Sequence, residues 1–548
     1  MERPSRPESA LNDADHAAPL DLPSAQAAFV AAMRTAAPYA ALHPVPSQVT
    51  CVETHISWVF LTGPYAYKVK KPLRLSFIDY STAARRAEMC REELRLNRRF
   101  AADLYVDVVP ISGTPEHPQL AGGGEPFEHA LRMVQFDPQL ELGHLLQSGT
   151  VPAAEIAALG TALARMQAEA ERAAEQTLYG APDTAHRVTT DNFTEIARAL
   201  PGAVEARQLA ALRTRLGQVF AASRERMERR RLDGHVRECH GDLHCGNVVR
   251  WRGALVPFDG LEFDPALRFI DVANDVAFLT MDLAEHGRRD LRRALLQSWV
   301  SASGDFDGIA LLHYYETYRA LVRAKVAALR GLQARGWDLE ASTRAHEYLA
   351  WAVDNVERPA PAIVLMAGLS GSGKTWLAQR IAGAVDALHL RSDVERKRLA
   401  GLGPLETSGS PPDAGIYTRE FNDRTYQRLR ECAGACLQGG ESVIVDAANL
   451  RREERERFLA LALSLAARAL IVHCDAPADV LKQRVAARQA GRRDASEATV
   501  DLLDRQPAYW EPFTDAERQH LVTVDTTQAQ TEARAVEEIR ARLGDNRA

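Results

Sequence analysis

Two stretches of the chain carry residues whose types and spacing suit the transfer of a phosphoryl group. The first is His240-Gly-Asp242-Leu-His-Cys-Gly-Asn247, followed by Asp259 at the end of the apolar run Leu255-Val-Pro-Phe258. An H-x-D-x-x-x-x-N spacing sets a carboxylate that can accept a hydroxyl proton, Asp242, close to an amide oxygen that can hold Mg²⁺, Asn247. Asp259, at a strand end, is the second metal-binding carboxylate, and the donor set is all hard oxygen. The second stretch is Gly368-Leu-Ser-Gly371-Ser-Gly373-Lys374-Thr375, a full G-x-x-x-x-G-K-T run between an apolar strand candidate and a helix candidate. Gly368, Ser370, Gly371, Ser372 and Gly373 are assigned to a loop whose backbone N–H groups turn inward around phosphate oxygens, with a helix N-terminus behind them. Lys374 supplies a point charge to the β- and γ-phosphates, and Thr375 offers a hydroxyl to Mg²⁺.

Each stretch needs supporting residues. For the first, a cation for the α- and β-phosphates belongs on an earlier strand, and Tyr67-Lys68-Val69-Lys70-Lys71 supplies it. Lys68 and Lys70 share a strand face, so periodicity leaves both open; the fit to a V-A-I-K pattern favours Lys70. The carboxylate partner is Glu92 or Glu93. Glu93 is preferred because Leu96 and Phe100 share its helix face. For the second, Ser442-Val-Ile-Val-Asp446 ends an apolar strand on a carboxylate suited to Mg²⁺. Asp393, after Arg391 and before Arg396 and Lys397, is either a base for an acceptor hydroxyl with arginines around it, or a helix cap beside solvated charges. Among Lys482, Arg484, Arg488, Arg492 and Arg493, the residues Arg488 and Arg493 are expected on a lid over the phosphates.

The elements that must position these residues fall into two patterns. Residues 24–37 read as a short helix. Val49–Leu61 and Tyr65–Lys70 read as strands of a hairpin, Arg85–Phe100 as a charged amphipathic helix, and Leu104–Ile111 and His129–Phe136 as strands. Ala153 to about Arg231 is helical, two short strands flank His240–Asp259, and helix resumes to about Val356. That order is α+β. Past Glu357-Arg-Pro-Ala-Pro361 the pattern changes. Ile363–Ala367, Leu388–Leu390, Ser442–Asp446, Ala469–Cys474 and Leu521–Val524 alternate with helices, which implies a parallel sheet covered on both faces. The apolar run Phe458–Val472, broken by Ser464 and Arg468, reads as a core helix. Residues 1–22 read as a disordered tail, 23–357 as one domain and 358–548 as another.

Composition bounds the function classes. With 67 Lys+Arg against 73 Asp+Glu, the net charge of −6 speaks against a nucleic-acid-coating protein. Seven cysteines in 548 residues, with no Cys-x-x-Cys pair, suggest neither disulfides nor zinc and fit a reducing cytoplasm. No run approaches the roughly 18 apolar residues of a membrane span.

HGDLHCGN followed by FD, with Phe269-Ile-Asp271-Val-Ala-Asn-Asp275 beyond, resembles the aminoglycoside-phosphotransferase superfamily. Together with THISWVFLTGPYAYKVKKP, the order of the two halves is similar to bacterial bifunctional aminoglycoside phosphotransferase/ATP-binding proteins. The resemblance implies a protein-kinase-like first half with adenine near Met133–Phe136. Asp271 and Asp275, a pair at a helix start, read as structural caps and not as catalytic groups. No G-x-G-x-x-G loop precedes the lysine strand; Thr54-His55-Ile56-Ser57 stands at that turn. The second half, about Ala362–Leu543, resembles small P-loop kinases grouped with polynucleotide kinase, gluconate kinase and zeta-toxin-like proteins. The expectation is an enzyme with two Mg-ATP sites phosphorylating hydroxyls of small-molecule acceptors. Two alternatives stand beside it: one half is a regulatory ATP-binding module, or the second half is a nucleic-acid 5′-hydroxyl kinase with Arg391, Arg396 and Arg488 along a backbone groove.

Overall fold

A computed structural model describes residues 20, 22–42, 44–74, 78–149, 151–333, 339–411, 414–491, 494–528 and 530–544. By their contacts these divide into two units. One is drawn from Met1–Gly149 and His240–Arg268, the other from Thr150–Cys239 and Phe269–Ala548. Of the tail expected over residues 1–22, all but Leu20 and Leu22 lie outside the described residues.

The first unit is built on a six-stranded antiparallel sheet in the order Thr50–Glu53, Ser57–Leu61, Tyr65–Lys70, Glu128–Val134, Tyr105–Thr114, His117–Leu120. Alternation along Tyr65–Lys70 sends Tyr67 and Val69 into a core with Phe29, Trp58, Phe60, Ile111 and Leu120. Lys68 and Lys70 take the other face, with helix Ala83–Ala101. Thr82 caps that helix by accepting the Arg85 N–H. Its buried stripe, Cys90, Glu93, Leu96, Asn97 and Phe100, carries a carboxylate among apolar groups. The single strand expected over Val49–Leu61 is in fact two. The Thr54 hydroxyl accepts the Ser57 N–H at 3.0 Å and closes a tight turn between them.

The second unit holds a five-stranded parallel sheet in the order Ala387–Arg391, Ser442–Asp446, Ala362–Ala367, Arg468–Asp475, Leu521–Asp525. Every residue of the central strand Ala362–Ala367 is buried, as expected of a strand covered on both faces. The core helix expected over Phe458–Val472 is not continuous. Helix Arg452–Ser464 ends at Ser464, and strand Arg468–Asp475 follows. Phe458 is buried there, but Leu463 is 84% exposed. Apolar content alone could not tell a helix end from a strand start.

The same unit contains helices Ala153–Glu169, Pro182–Ala199, Ala203–Leu232, Val272–Glu285, Arg289–Ser303, Leu312–Gln333 and Leu339–Val356. Asp271 caps Val272–Glu285 by accepting the Ala273 N–H and pairs with the buried Arg230, which also binds Asp305. Asp275 receives a hydrogen bond from Gln167.

These helices join the parallel sheet through a buried charge cluster. Arg292 grips Glu441 with two hydrogen bonds, at 2.6 and 3.0 Å, and reaches Glu316 at 2.9 Å. Arg358 bridges the same two carboxylates at 3.0 Å each. Helix Arg289–Ser303 also runs along the edge strand Ala387–Arg391. Gln297 accepts the His389 N–H at 2.7 Å and donates to the His389 carbonyl at 3.2 Å. The outward backbone groups of His389 on this edge strand are thereby paired.

Two consequences are measurable. Glu441→Gln leaves the buried Arg292 and the half-buried Arg358 to share Glu316 alone and should cost about 2–3 kcal/mol in urea denaturation of the whole chain. A loss below about 1 kcal/mol would mean that solvent already answers those charges. His313 lies beside Arg358; burial, then that positive neighbour, lowers its pKa from 6.5 to about 4. The folded chain therefore binds fewer protons than the unfolded one between those values, and stability falls as pH drops from 6.5 towards 4. Relative to His313→Gln, the wild type should lose about 3 kcal/mol over that window, read from urea midpoints. A difference that does not move with pH would contradict this.

Candidate nucleotide sites

In the first unit both lysines share one carboxylate. Lys68 Nζ lies 2.8 Å from Glu93 Oε1, and Lys70 Nζ lies 2.7 Å from Glu93 Oε2. Burial alone would strip protons from both ammonium groups. Asp259 and Glu93 outweigh it at Lys68, Glu262 and Glu93 outweigh it at Lys70, and both are held well above the usual lysine value. Burial pushes the Glu93 carboxyl up, but the two lysines outweigh that and hold it below the usual range. The lysines differ in their remaining contacts. Lys68 pairs with Asp259, whereas Lys70 is enclosed by Glu262 and Tyr80. Glu92 turns instead to Arg95 and Arg268, at 2.8 and 2.7 Å.

The loop His240–Asn247 is tied to the segment that carries Asp259. The Asp242 N–H points at His240 Nδ1, 3.4 Å away, which leaves Nε2 to donate to the Phe258 carbonyl at 2.9 Å. The Phe258 N–H bonds the Asn247 carbonyl, and the Leu261 N–H bonds that of His240. Asn247 Nδ2 donates to the Asp242 carbonyl and to Asp242 Oδ2, at 2.9 and 3.1 Å. Asp259 adopts φ 60°, a left-handed conformation rare outside glycine. Its N–H is held by Tyr105 Oη, and the next N–H, of Gly260, by Asn97 Oδ1. The carboxylates of Asp242 and Asp259 are 40% and 43% exposed, while Asn247 is buried. Met133 is packed with Tyr105, Leu131, Val249 and Phe258, and the Phe136 ring meets Phe258 edge-on at 5.2 Å. Asn97 and Tyr105 escaped the sequence reading. Asn97 carried a signal: it lies four residues after Glu93 on the same buried stripe.

In the second unit, the loop after Ala362–Ala367 turns on glycines with positive φ, 135° at Gly368 and 80° at Gly371. A Cβ at Gly368 would stand 2.4 Å from the Cys474 carbonyl oxygen, and one at Gly371 would stand 2.7 Å from that of Leu481. Only glycine fits either place. Lys374 Nζ donates to the carbonyls of Gly368 and Leu369, both at 2.8 Å. Burial lowers the Lys374 pKa more than Asp446 raises it. His389 Nε2 lies 3.0 Å from Asp446 Oδ2, and the Thr375 hydroxyl faces the same carboxylate closely enough to favour its charged form. Burial pushes the Asp446 carboxyl up; His389, Thr375 and Lys374 together hold it below the usual range. Ser372 Oγ and Arg488 Nε are buried and have no hydrogen-bond partner among the described residues.

Arg484 braces this loop by donating to the Gly371 carbonyl and to Thr526. The Ser370 N–H is taken by Gln506 Oε1 at 2.8 Å. His389 and Gln506 carry no local signal in the sequence, since each acts on a residue distant in the chain, and Arg484, one of the five basic residues of the lid region, turns out to brace the loop. Asp393 lies in the first turn of helix Ser392–Leu399, where its charge is felt by Lys374 and Tyr417. Arg396 and Lys397 are not solvated. Arg396 donates to the Ile416 carbonyl and Asn422, and Lys397 pairs with Glu497 at 3.1 Å. Arg391 is held by Asp494. Arg488 donates to the Ala498 carbonyl at 3.4 Å, and Arg493 lies outside the described residues.

Comparison with known proteins bears on these sites unequally. Residues 363–513 match a family model described as an AAA domain. An uncharacterized protein of Mycobacterium tuberculosis is 29% identical over 472 residues, covering 86% of this chain and 92% of that protein. A sugar kinase from a Janibacter species is 24% identical, covers 34% of this chain and 95% of that one, and has a TM-score of 0.26. A gluconokinase from Sinorhizobium meliloti is 20% identical, covers 34% of this chain and 100% of that one, and has a TM-score of 0.24. The C-terminal part of the chain thus carries a P-loop domain with a parallel sheet, and it is this part that the AAA-domain model matches.

Proposed function

We propose that the chain is an ATP-dependent phosphotransferase with two Mg-ATP sites, each passing a γ-phosphoryl group to a hydroxyl of a small-molecule acceptor. The observation that carries this reading is Lys374. Its ammonium is half-buried in a glycine-turned loop, faces two carbonyls, and stands beside Thr375 and Asp446. A polyphosphate supplies the charge that such a group lacks. Thr375 and Asp446 would hold Mg²⁺; their hard oxygen donors suit that ion. Mg²⁺, when bound, neutralises charge on the β- and γ-phosphates. Asp393 is the base for the acceptor hydroxyl, and Arg488, whose Nε has no partner among the described residues, closes on the phosphates.

For residues 23–357 the reading is a phosphotransferase of the aminoglycoside-phosphotransferase type. Asp242 takes the acceptor proton, Asn247 and Asp259 hold Mg²⁺, and Lys68, reaching out from Glu93, meets the α- and β-phosphates. Lys70 supports this arrangement from inside, and Met133 with Phe136 lies against the adenine. Residues 358–548 form the P-loop domain. The ties of Arg391 to Asp494 and of Arg396 to Ile416 and Asn422 favour a small acceptor over a nucleic-acid strand, since those cations are already committed. The seven free cysteines support a reducing compartment such as the cytoplasm. Among the described residues no helix is long and apolar enough to cross a membrane.

Two variants test the reading on sugar, nucleoside and small-alcohol panels. Asp242→Ala should lower product formation at the first site by about 10²–10⁴-fold and leave ATP binding there intact. Lys374→Ala should abolish ATP binding at the second. Product formation by the double variant equal to wild type would refute it, and loss of binding without any loss of turnover would make the P-loop half a regulatory module.

A further inference from the structure

The P-loop contains a contact that the nucleotide reading does not require. Ser370, the third residue of the loop, gives its N–H to the side-chain carbonyl of Gln506 at 2.8 Å. Gln506 is only 8% exposed and begins a short turn, Gln506–Tyr509, after helix Val500–Arg505. That helix is anchored twice. Thr499 caps it by accepting the Leu502 N–H, and Leu503 packs with Leu481 and Val485 beside Leu369 of the loop itself. Pro507 follows directly and restricts the backbone there. Gln506 is thus fixed relative to the loop by a small apolar core that includes a loop residue.

A primary amide has one acceptor end and one donor end in the same plane. The acceptor end is used by Ser370. Among the described residues no acceptor pairs with Nε2, so its N–H groups remain for a ligand. Their place along a bound triphosphate follows from Lys374. The ammonium rests on the carbonyls of Gly368 and Leu369, the two residues just before Ser370, and a P-loop lysine serves the β- and γ-phosphates. The Ser370–Gln506 pair therefore stands at the terminal-phosphate end of the loop. Resting on the P-loop reading above, we propose that Gln506 binds the γ-phosphate of ATP through Nε2–H while its Oε1 fixes the Ser370 N–H, so that this site distinguishes ATP from ADP.

The test is calorimetry of MgATP and MgADP binding to the whole chain, taking as the P-loop signal the component that Lys374→Ala removes. Gln506→Glu keeps an oxygen for Ser370 and replaces the donor with negative charge. It should weaken MgATP binding at least about tenfold and MgADP binding less than about threefold, since a hydrogen bond to a charged group is lost only for ATP. Gln506→Met has similar size and no buried charge. It guards against misfolding of the first variant, with thermal melts as the check, and should also weaken ATP more than ADP. Equal losses for both nucleotides would reduce Gln506 to a brace for the loop and overturn the inference, as would no loss for either. If the wild type showed no Lys374-dependent binding of either nucleotide, the P-loop reading itself would fall, and this inference with it.

Discussion

An ammonium group withdrawn from water must have its charge answered, and the two candidate sites meet that constraint in opposite ways. Lys68 and Lys70 are answered from within the protein. Glu93 bonds both, and Asp259 and Glu262 each add a carboxylate. Lys374 bonds two carbonyl dipoles and feels Asp446 at longer range, and burial still dominates its balance. The first arrangement is complete without ligand, and a nucleotide entering there must compete for Lys68 with Asp259. In the second, no carboxylate among the described residues is in ion-pair contact with the lysine, and a phosphate fills that place. The local structure around each site follows from this difference.

In the first unit, strand alternation puts two lysines on one face, so the facing helix must present a carboxylate on its buried stripe. Glu93 does so, and Asn97 one turn later holds the backbone at Gly260 beside Asp259. In the second unit, glycines at Gly368 and Gly371 let the loop pass close to the carbonyls of Cys474 and Leu481, where a side chain would not fit. Asp446 reaches Thr375 from the adjacent strand and is steadied by His389, whose backbone is gripped by Gln297. Gln297 lies far from the P-loop in sequence, on helix Arg289–Ser303, so the surroundings of Asp446 draw on residues well before residue 358.

Much of this was legible in the sequence because the chemistry is local. The glycines, Lys374 and Thr375 lie within eight consecutive residues, and the Asp242–Asn247 spacing fits one loop. Glu93 could be preferred over Glu92 because Leu96 and Phe100 mark its face. What could not be read depended on distant partners. Period-two alternation treats Lys68 and Lys70 alike, and only the positions of Asp259 and Glu262 separate them. Arg396 and Lys397 read as solvated or substrate-binding, because nothing near them announces Ile416, Asn422 or Glu497. The Pro359 and Pro361 punctuation suggested a boundary near residue 358, while Arg358 itself bridges Glu316 and Glu441 across that point. A turn at Thr54 broke an apparently continuous strand, since a threonine side chain can close a turn without glycine.

The central claim, two nucleotide sites in one chain, is tested most directly by equilibrium dialysis of the full-length protein with labelled ATP and Mg²⁺ at saturation. The account predicts two molecules of ATP bound per chain, falling to one when Lys374 alone is replaced by alanine and to one when Lys68 alone is replaced. A saturating stoichiometry of one or zero in the wild type, with the chain folded, would contradict it.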